Sequence, residues 1–202
     1  MNKQLLTSSV VMFAVAMLFT AVAANAAVIT SMSSSGPTDL VTISQGSSDP
    51  DVGIPWMHTN DAGDEDDAGQ TFKVTEDFIL DKITVRIKEL NVIDDHGDYN
   101  GQDFPVGIHT FTDDTDETPD SQITSQTGTL PNDFYSQISD GNDFLTIDID
   151  DVALSAGQQY GFTLLHPDTV QWGDDTMKLA GDVDTAYADG IGIAKNEDET
   201  SW

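Results

Sequence analysis

The chain has no cysteine among its 202 residues. Disulfide staples, thiolate zinc sites and cysteine nucleophiles are therefore excluded, and the fold must rest on packing or on bound cations. Cations are also scarce, with seven Lys and Arg against 36 Asp and Glu and a net charge of −29. Such a field repels nucleic acid and anionic membrane surfaces, so neither is expected as a partner. No convincing amphipathic helix and no internal repeat can be found. Beyond the first residues no stretch is long and apolar enough to span a bilayer, which needs about 20 residues.

What is present begins with MNKQLLTSSVVMFAVAMLFTAVAANAA. Lys3 supplies a positive start, Val10 to Ala24 is almost wholly apolar, and Ala24-Asn25-Ala26 fits a small-x-small cleavage site. This layout is that of a secretory signal peptide, interrupted by Thr20 and short for a membrane anchor. Cleavage after Ala26 leaves 176 of the 202 residues, with six cations against 36 acidic residues, a net −30. We expect a secreted or cell-surface protein without further membrane insertion. One domain is the natural count, and a chain of this size buries a core without staples. Self-repulsion among so many carboxylates destabilises a compact state, and salt relieves it as the screening length falls from about 10 Å at 0.1 M to about 3 Å at 1 M. The composition therefore points to a saline setting, or to acids held by divalent ions.

Hydropathy predicts an all-β fold. FILDKITVRIKEL (78–90) alternates, with Ile83, Val85 and Ile87 on one face and Thr84, Arg86 and Lys88 on the other. DFLTIDIDD (143–151) sets Leu145, Ile147 and Ile149 against Thr146, Asp148 and Asp150. A period of two marks half-buried antiparallel strands. QTFKV (70–74), DFPVGIHTF (103–111) and residues 159–165 are further strands, and VQW (170–172), MKLA (177–180) and GIGIA (190–194) shorter ones. Many short strands separated by turn signals predict an antiparallel β-sandwich or jelly roll with long acidic loops. Residues 27–68 read as a loose N-terminal segment, one weak edge strand at 38–45 and a long acidic loop in which Ile54, Pro55 and Trp56 fold back as a lid; residues 69–202 read as the sandwich domain. Lys82, Arg86 and Lys88 share one polar face and Asp148 and Asp150 another. Matching these faces predicts that the two strands are neighbours.

Gly69-Gln70-Thr71-Phe72 before FILDKITVRI, then Leu154-Ser155-Ala156-Gly157-Gln158-Gln159-Tyr160-Gly161-Phe162, then Tyr187-Ala188-Asp189-Gly190 leading to Trp202, resemble parts of β-sandwich modules in secreted bacterial proteins. Some of those proteins carry a PEP-CTERM sorting tail. The resemblance covers about residues 69–202 and implies an exported, jelly-roll-like module. At Trp202 there is no Pro-Glu-Pro motif, apolar tail or basic terminus. The expectations are then a chain that continues into a sorting tail, or a released protein.

Three kinds of site are consistent with the residues. DDHGDYNGQD (94–103) offers calcium oxygens from Asp94, Asp95, Asp98, Asn100 and Asp103. It is not an EF-hand, because Gly101 at position six places His96 at position one and a strand precedes it. Asp61, Asp64, Glu65, Asp66 and Asp67 form a second acidic loop. Zinc is disfavoured, since His58, His96, His109 and His166 show no close pairing. Trp56, Tyr99, Tyr135, Trp172 and Tyr187 are candidate platforms for carbohydrate, against the alternative that they cap the sandwich. Asp148 and Asp150, about 7 Å apart along one strand, have the spacing of an inverting glycosidase pair, but they lie on a polar face, where a general acid's raised pKa is not expected. There is no Gly-x-Ser-x-Gly elbow. The reading is a non-catalytic extracellular structural or matrix module, its acidic loops read first as solvated turns, with calcium binding as the alternative for residues 94–103. Carbohydrate binding to an extracellular polysaccharide is the alternative, and a glycoside-active enzyme comes third.

Overall fold

A computed structural model describes residues 28–35, 53–56, 66–91, 99–113, 118–138, 143–166, 176–180, 190 and 192–196. Ten strands occur among them: β1 (Ile29–Ser33), β2 (Gly53–Trp56), β3 (Asp66–Lys73), β4 (Phe78–Asn91), β5 (Asp103–Phe111), β6 (Ser121–Thr129), β7 (Asp143–Leu154), β8 (Gln159–Leu164), β9 (Thr176–Ala180) and β10 (Gly192–Asn196). A single-turn helix, α1 (Phe134–Gln137), joins β6 to β7. No helix among the described residues is long and apolar enough to cross a membrane.

The strands form two five-stranded sheets, in the orders β1-β7-β4-β9-β2 and β10-β3-β8-β5-β6. The antiparallel pairs β5·β6, β4·β7, β3·β8 and β2·β9 are nested one outside the next. This is one long hairpin, its tip at β5–β6, rolled so that successive pairs fall alternately in the two sheets. Eight strands wound in this way make a jelly roll. β1 and β10 add one strand to each sheet, beside β7 and β3.

The expected all-β sandwich is thus the fold, and it extends further toward the N-terminus than the sequence suggests. Residues 29–33, read as a loose start, form β1, and the Ile54-Pro55-Trp56 lid is β2, a strand of the sheet itself. The weak strand at 38–45 and VQW at 170–172 lie outside the described residues.

Alternation explains which faces meet. Ile83, Val85 and Ile87 of β4 and Leu145, Ile147 and Ile149 of β7 are buried, as are Ala68 and Phe72 of β3, Val106 and Ile108 of β5, and Leu164 of β8. Together they make one core between the sheets. Burying a side chain of this kind contributes about 1.5–3 kcal/mol.

The alternation of β7 breaks at Asp150 and Asp151, both exposed, after which Val152 and Leu154 are buried again. The register shows why. Lys82 faces Asp148 but Leu80 faces Val152, so β7 carries a bulge there. A bulge leaves backbone groups without ladder partners. The Asp150 amide donates instead to Gln126 Oε1 of β6, at 2.8 Å. Since β6 edges the other sheet, this bond ties the two layers at one seam. Nearby, Val28 bridges Gly128 in parallel and the Thr30 hydroxyl donates to the Thr129 carbonyl.

The predicted adjacency of the 78–90 and 143–151 strands is observed. Lys82 and Asp148 are register partners, with Nζ 4.0 Å from Oδ2. Arg86 is the register partner of Phe144, and Asp150 lies in the bulge, outside the ladder.

Candidate functional site

The C-terminal end of the acidic loop is built as a turn. The Gln102 amide donates to the Tyr99 carbonyl at 3.3 Å, and Gly101 has φ +70°, a left-handed value that favours glycine. Gly101 N–H donates to the Pro131 carbonyl, and the Leu130 amide to the Gln102 carbonyl. Tyr99 is buried and anchors the turn to the core. Of the five candidate calcium ligands, Asn100 sits in this turn and Asp103 begins β5, where its carboxylate accepts from the Thr129 hydroxyl at 2.5 Å. Asp94, Asp95 and Asp98 lie outside the described residues. Of the second acidic group, Asp66 and Asp67 are not loop but the start of β3, where Asp67 Oδ1 accepts from the His166 amide at 2.7 Å, and Asp61, Asp64 and Glu65 lie outside the described residues. Among the described residues no three acids or histidines converge as a metal site.

Two of the five aromatic candidates are interior. Trp56 has no exposed surface and meets Phe104 edge-on, centroids 5.4 Å apart and planes at 74°. Tyr99 is 1% exposed. Neither presents a ring face to solvent, so both belong to the core and not to a sugar platform. Their large apolar area is best used between the sheets. Tyr135 lies in α1, while Trp172 and Tyr187 lie outside the described residues.

Asp148 and Asp150 both point outward and are exposed. Asp148 faces Lys82 across the ladder, with Nζ 4.0 Å from Oδ2.

The least expected chemistry lies on the outer face of the β10-β3-β8-β5-β6 sheet. By register, Gly69, Thr163 and Gly107 form one transverse row and Thr71, Gly161 and His109 the next. All six are buried although they face away from the core. Larger side chains lie down upon the glycines. A Cβ on Gly107 would come 2.4 Å from His109 Nε2, one on Gly161 2.4 Å from Phe111 Cε2, and one on Gly69 2.9 Å from Ile193 Cγ1. His109 Nε2 is 3.0 Å from Thr163 Oγ1. Burial disfavours the imidazolium and lowers the pKa of His109 below its ordinary value. The ring thus lies over Gly107 with Nε2 in reach of the Thr163 hydroxyl, and burial favours its neutral form. The sequence carried a faint trace of this face: isolated glycines inside strand patterns signal close approach.

Comparison of the chain with family models, with curated proteins and with solved structures found no match.

Proposed function

We propose that the protein is exported, loses residues 1–26, and acts outside the cell as a non-catalytic structural or matrix module suited to salt. The observation that carries this reading is the division of β7. Ile147, Ile149 and Val152 are buried while Asp148, Asp150 and Asp151 are exposed. The strand seals an aliphatic core on one side and presents Asp148, Asp150 and Asp151 to solvent on the other, beside Thr146 and Ala153. With no cysteine, that core has no covalent support. Export is supported by the leader pattern and by the position of the first strand. Cleavage after Ala26 leaves Val28, which is buried and bridges Gly128, and all of β1 intact. Calcium held by Asp94, Asp95, Asp98, Asn100 and Asp103 is the finer part of the proposal. The turn at Gly101 would fix one end of that loop.

The reading is tested by fractionating cells that express the full chain and sequencing the N-terminus of the exported product. An extracellular product starting at Ala27 is expected, and an uncleaved intracellular one would overturn the reading. Thermal unfolding of that product with calcium against chelator, at fixed ionic strength, tests the ion. A midpoint raised by calcium and insensitive to it in Asp98→Asn is expected. A glycan array tests the rival role in polysaccharide binding, with Trp172→Ala and Tyr187→Ala as controls.

A further inference from the structure

A sandwich has four edge strands, and exposed edges invite pairing with other chains unless blunted by proline, lysine, bulges or charge. Here the edges are β1 and β2 of one sheet and β10 and β6 of the other. Three of the four carry such a device. β2 contains Pro55, β10 contains Lys195, and β6 carries a bulge, since Ile108 faces Thr124 but His109 faces Gln122 and Ile123 is left as the extra residue.

β1 has none of these. Its sequence, Ile-Thr-Ser-Met-Ser, holds no charge, proline or glycine, and its register with β7 is unbroken. None of its five residues is buried, and Ile29 is 69% exposed, the largest value among the exposed large apolar residues described. Beyond the seam contacts at Val28 and Thr30, the outer edge of β1 has no ladder partner among the described residues. No residue from Ala27 to Thr38 is charged, in a chain with 36 acids.

We propose that the β1 edge pairs with the β1 edge of a second copy of this chain, antiparallel about a two-fold axis near Ser31. The absence of charge identifies the occupant. Two bodies this acidic repel one another wherever their carboxylates meet, and the β1 edge is where their backbones can approach without bringing acids together. A two-fold makes the contact self-complementary. Residue 29 of one copy then faces residue 33 of the other, which covers part of Ile29, and the two sheets run on as one. Salt strengthens the pairing by screening the two bodies at about 1 M, where the screening length is about 3 Å. This deepens the matrix reading by naming its partner, and it rests on that reading for its setting outside the cell.

The exported protein is examined by sedimentation at low salt and at about 1 M salt, alongside Ser31→Lys. A monomer at low salt, a dimer in brine, and loss of that dimer in Ser31→Lys with an unchanged thermal midpoint are expected. Because the chain lacks cysteine, Ser31→Cys gives a second reading. Facing residues of an antiparallel pair lie about 4.5–5.5 Å apart, within reach of a disulfide. Covalent dimer should form with Ser31→Cys in brine, and far less with Ser155→Cys in the exposed β7–β8 turn. Monomer at every salt concentration, or a dimer indifferent to Ser31→Lys, would overturn the proposal. So would an interchain disulfide between Ser31→Cys and Thr146→Cys in mixed samples, which would mean that β1 is exchanged between copies. Misplaced export would instead overturn the matrix reading and leave this result standing.

Discussion

The backbone amide of Asp150 in β7 donates to the side-chain oxygen of Gln126 in β6 across 2.8 Å, and so joins two sheets that share no ladder at that point. The bulge at Asp150 and Asp151 frees the amide, and the buried Gln126 supplies the acceptor. Replacing Gln126 with Ala leaves that amide without its partner at a partly buried seam. An unmade bond of this kind costs about 1–3 kcal/mol. Chemical denaturation of Gln126→Ala should show that loss with an unchanged m-value, while Gln122→Ala, at an exposed position of the same strand, should stay within about 0.5 kcal/mol of the parent. Equal effects from the two would deny Gln126 its role in closing the seam.

Lys82 and Asp148 face one another on the solvent side of β4 and β7, each about half exposed, at 49% and 50% of its side-chain surface. Lys82 also lies 3.9 Å from Asp81. Exposed pairs couple by only about 0.2–1 kcal/mol. A double-mutant cycle with Lys82→Ala and Asp148→Ala should fall in that range at low salt and approach zero in brine. The protein as a whole should move the other way, gaining stability with salt, because general repulsion among its acids outweighs one screened attraction.

Gly161 places no side chain where the ring of Phe111 lies. An alanine there would put Cβ 2.4 Å from Phe111 Cε2 and 2.9 Å from the Gln70 carbonyl oxygen. The ring is fully buried and the backbone oxygen is fixed in the ladder, so Gly161→Ala should destabilise by about 1–3 kcal/mol. Adding Phe111→Ala should cost less than the two single losses combined, because both changes act on one contact. Strict additivity, measured by thermal unfolding of the four proteins, would remove Phe111 as the reason for the glycine.

Where the physics is local and periodic, the sequence was readable. The strict alternation of residues 82–88 and 145–150 identifies β4 and β7, and the opposite charges of Lys82 and Asp148 place them side by side. DFPVGIHTF coincides with β5. Non-local features were not readable. Trp56 stands among glycine, proline and aspartate and looks like part of a loop, yet β2 carries it into the core against Phe104, more than 40 residues away. Tyr99 follows an acidic run and is still buried, because Gly101 turns the chain back toward β5. β1 shows no strong apolar alternation, and none of its side chains is buried; among the described residues its ladder is with β7 alone. The outer-face glycines appear as single residues in three separate strands, and only the register of β3, β8 and β5 brings them together.

His109 links that glycine-lined face to pH. Burial lowers its folded-state pKa below the unfolded value of about 6.5, so between the two values the unfolded chain binds more protons than the folded one. Stability then rises with pH across that window. The penalty is absent well above pH 6.5, grows as pH falls toward the lowered folded value, and is constant below it. Protonation also converts Nε2 from a possible acceptor into an obligatory donor toward Thr163, 3.0 Å away. Gln in its place keeps a polar group near that hydroxyl but does not titrate. Unfolding free energies measured from pH 8 to pH 5 at high salt should therefore decline on acidification in the parent and be flatter in His109→Gln. High salt matters because it suppresses the opposing gain from protonating surface carboxylates, which begins near the lower end of the range. Identical slopes in the two proteins would exclude His109 as the group responsible.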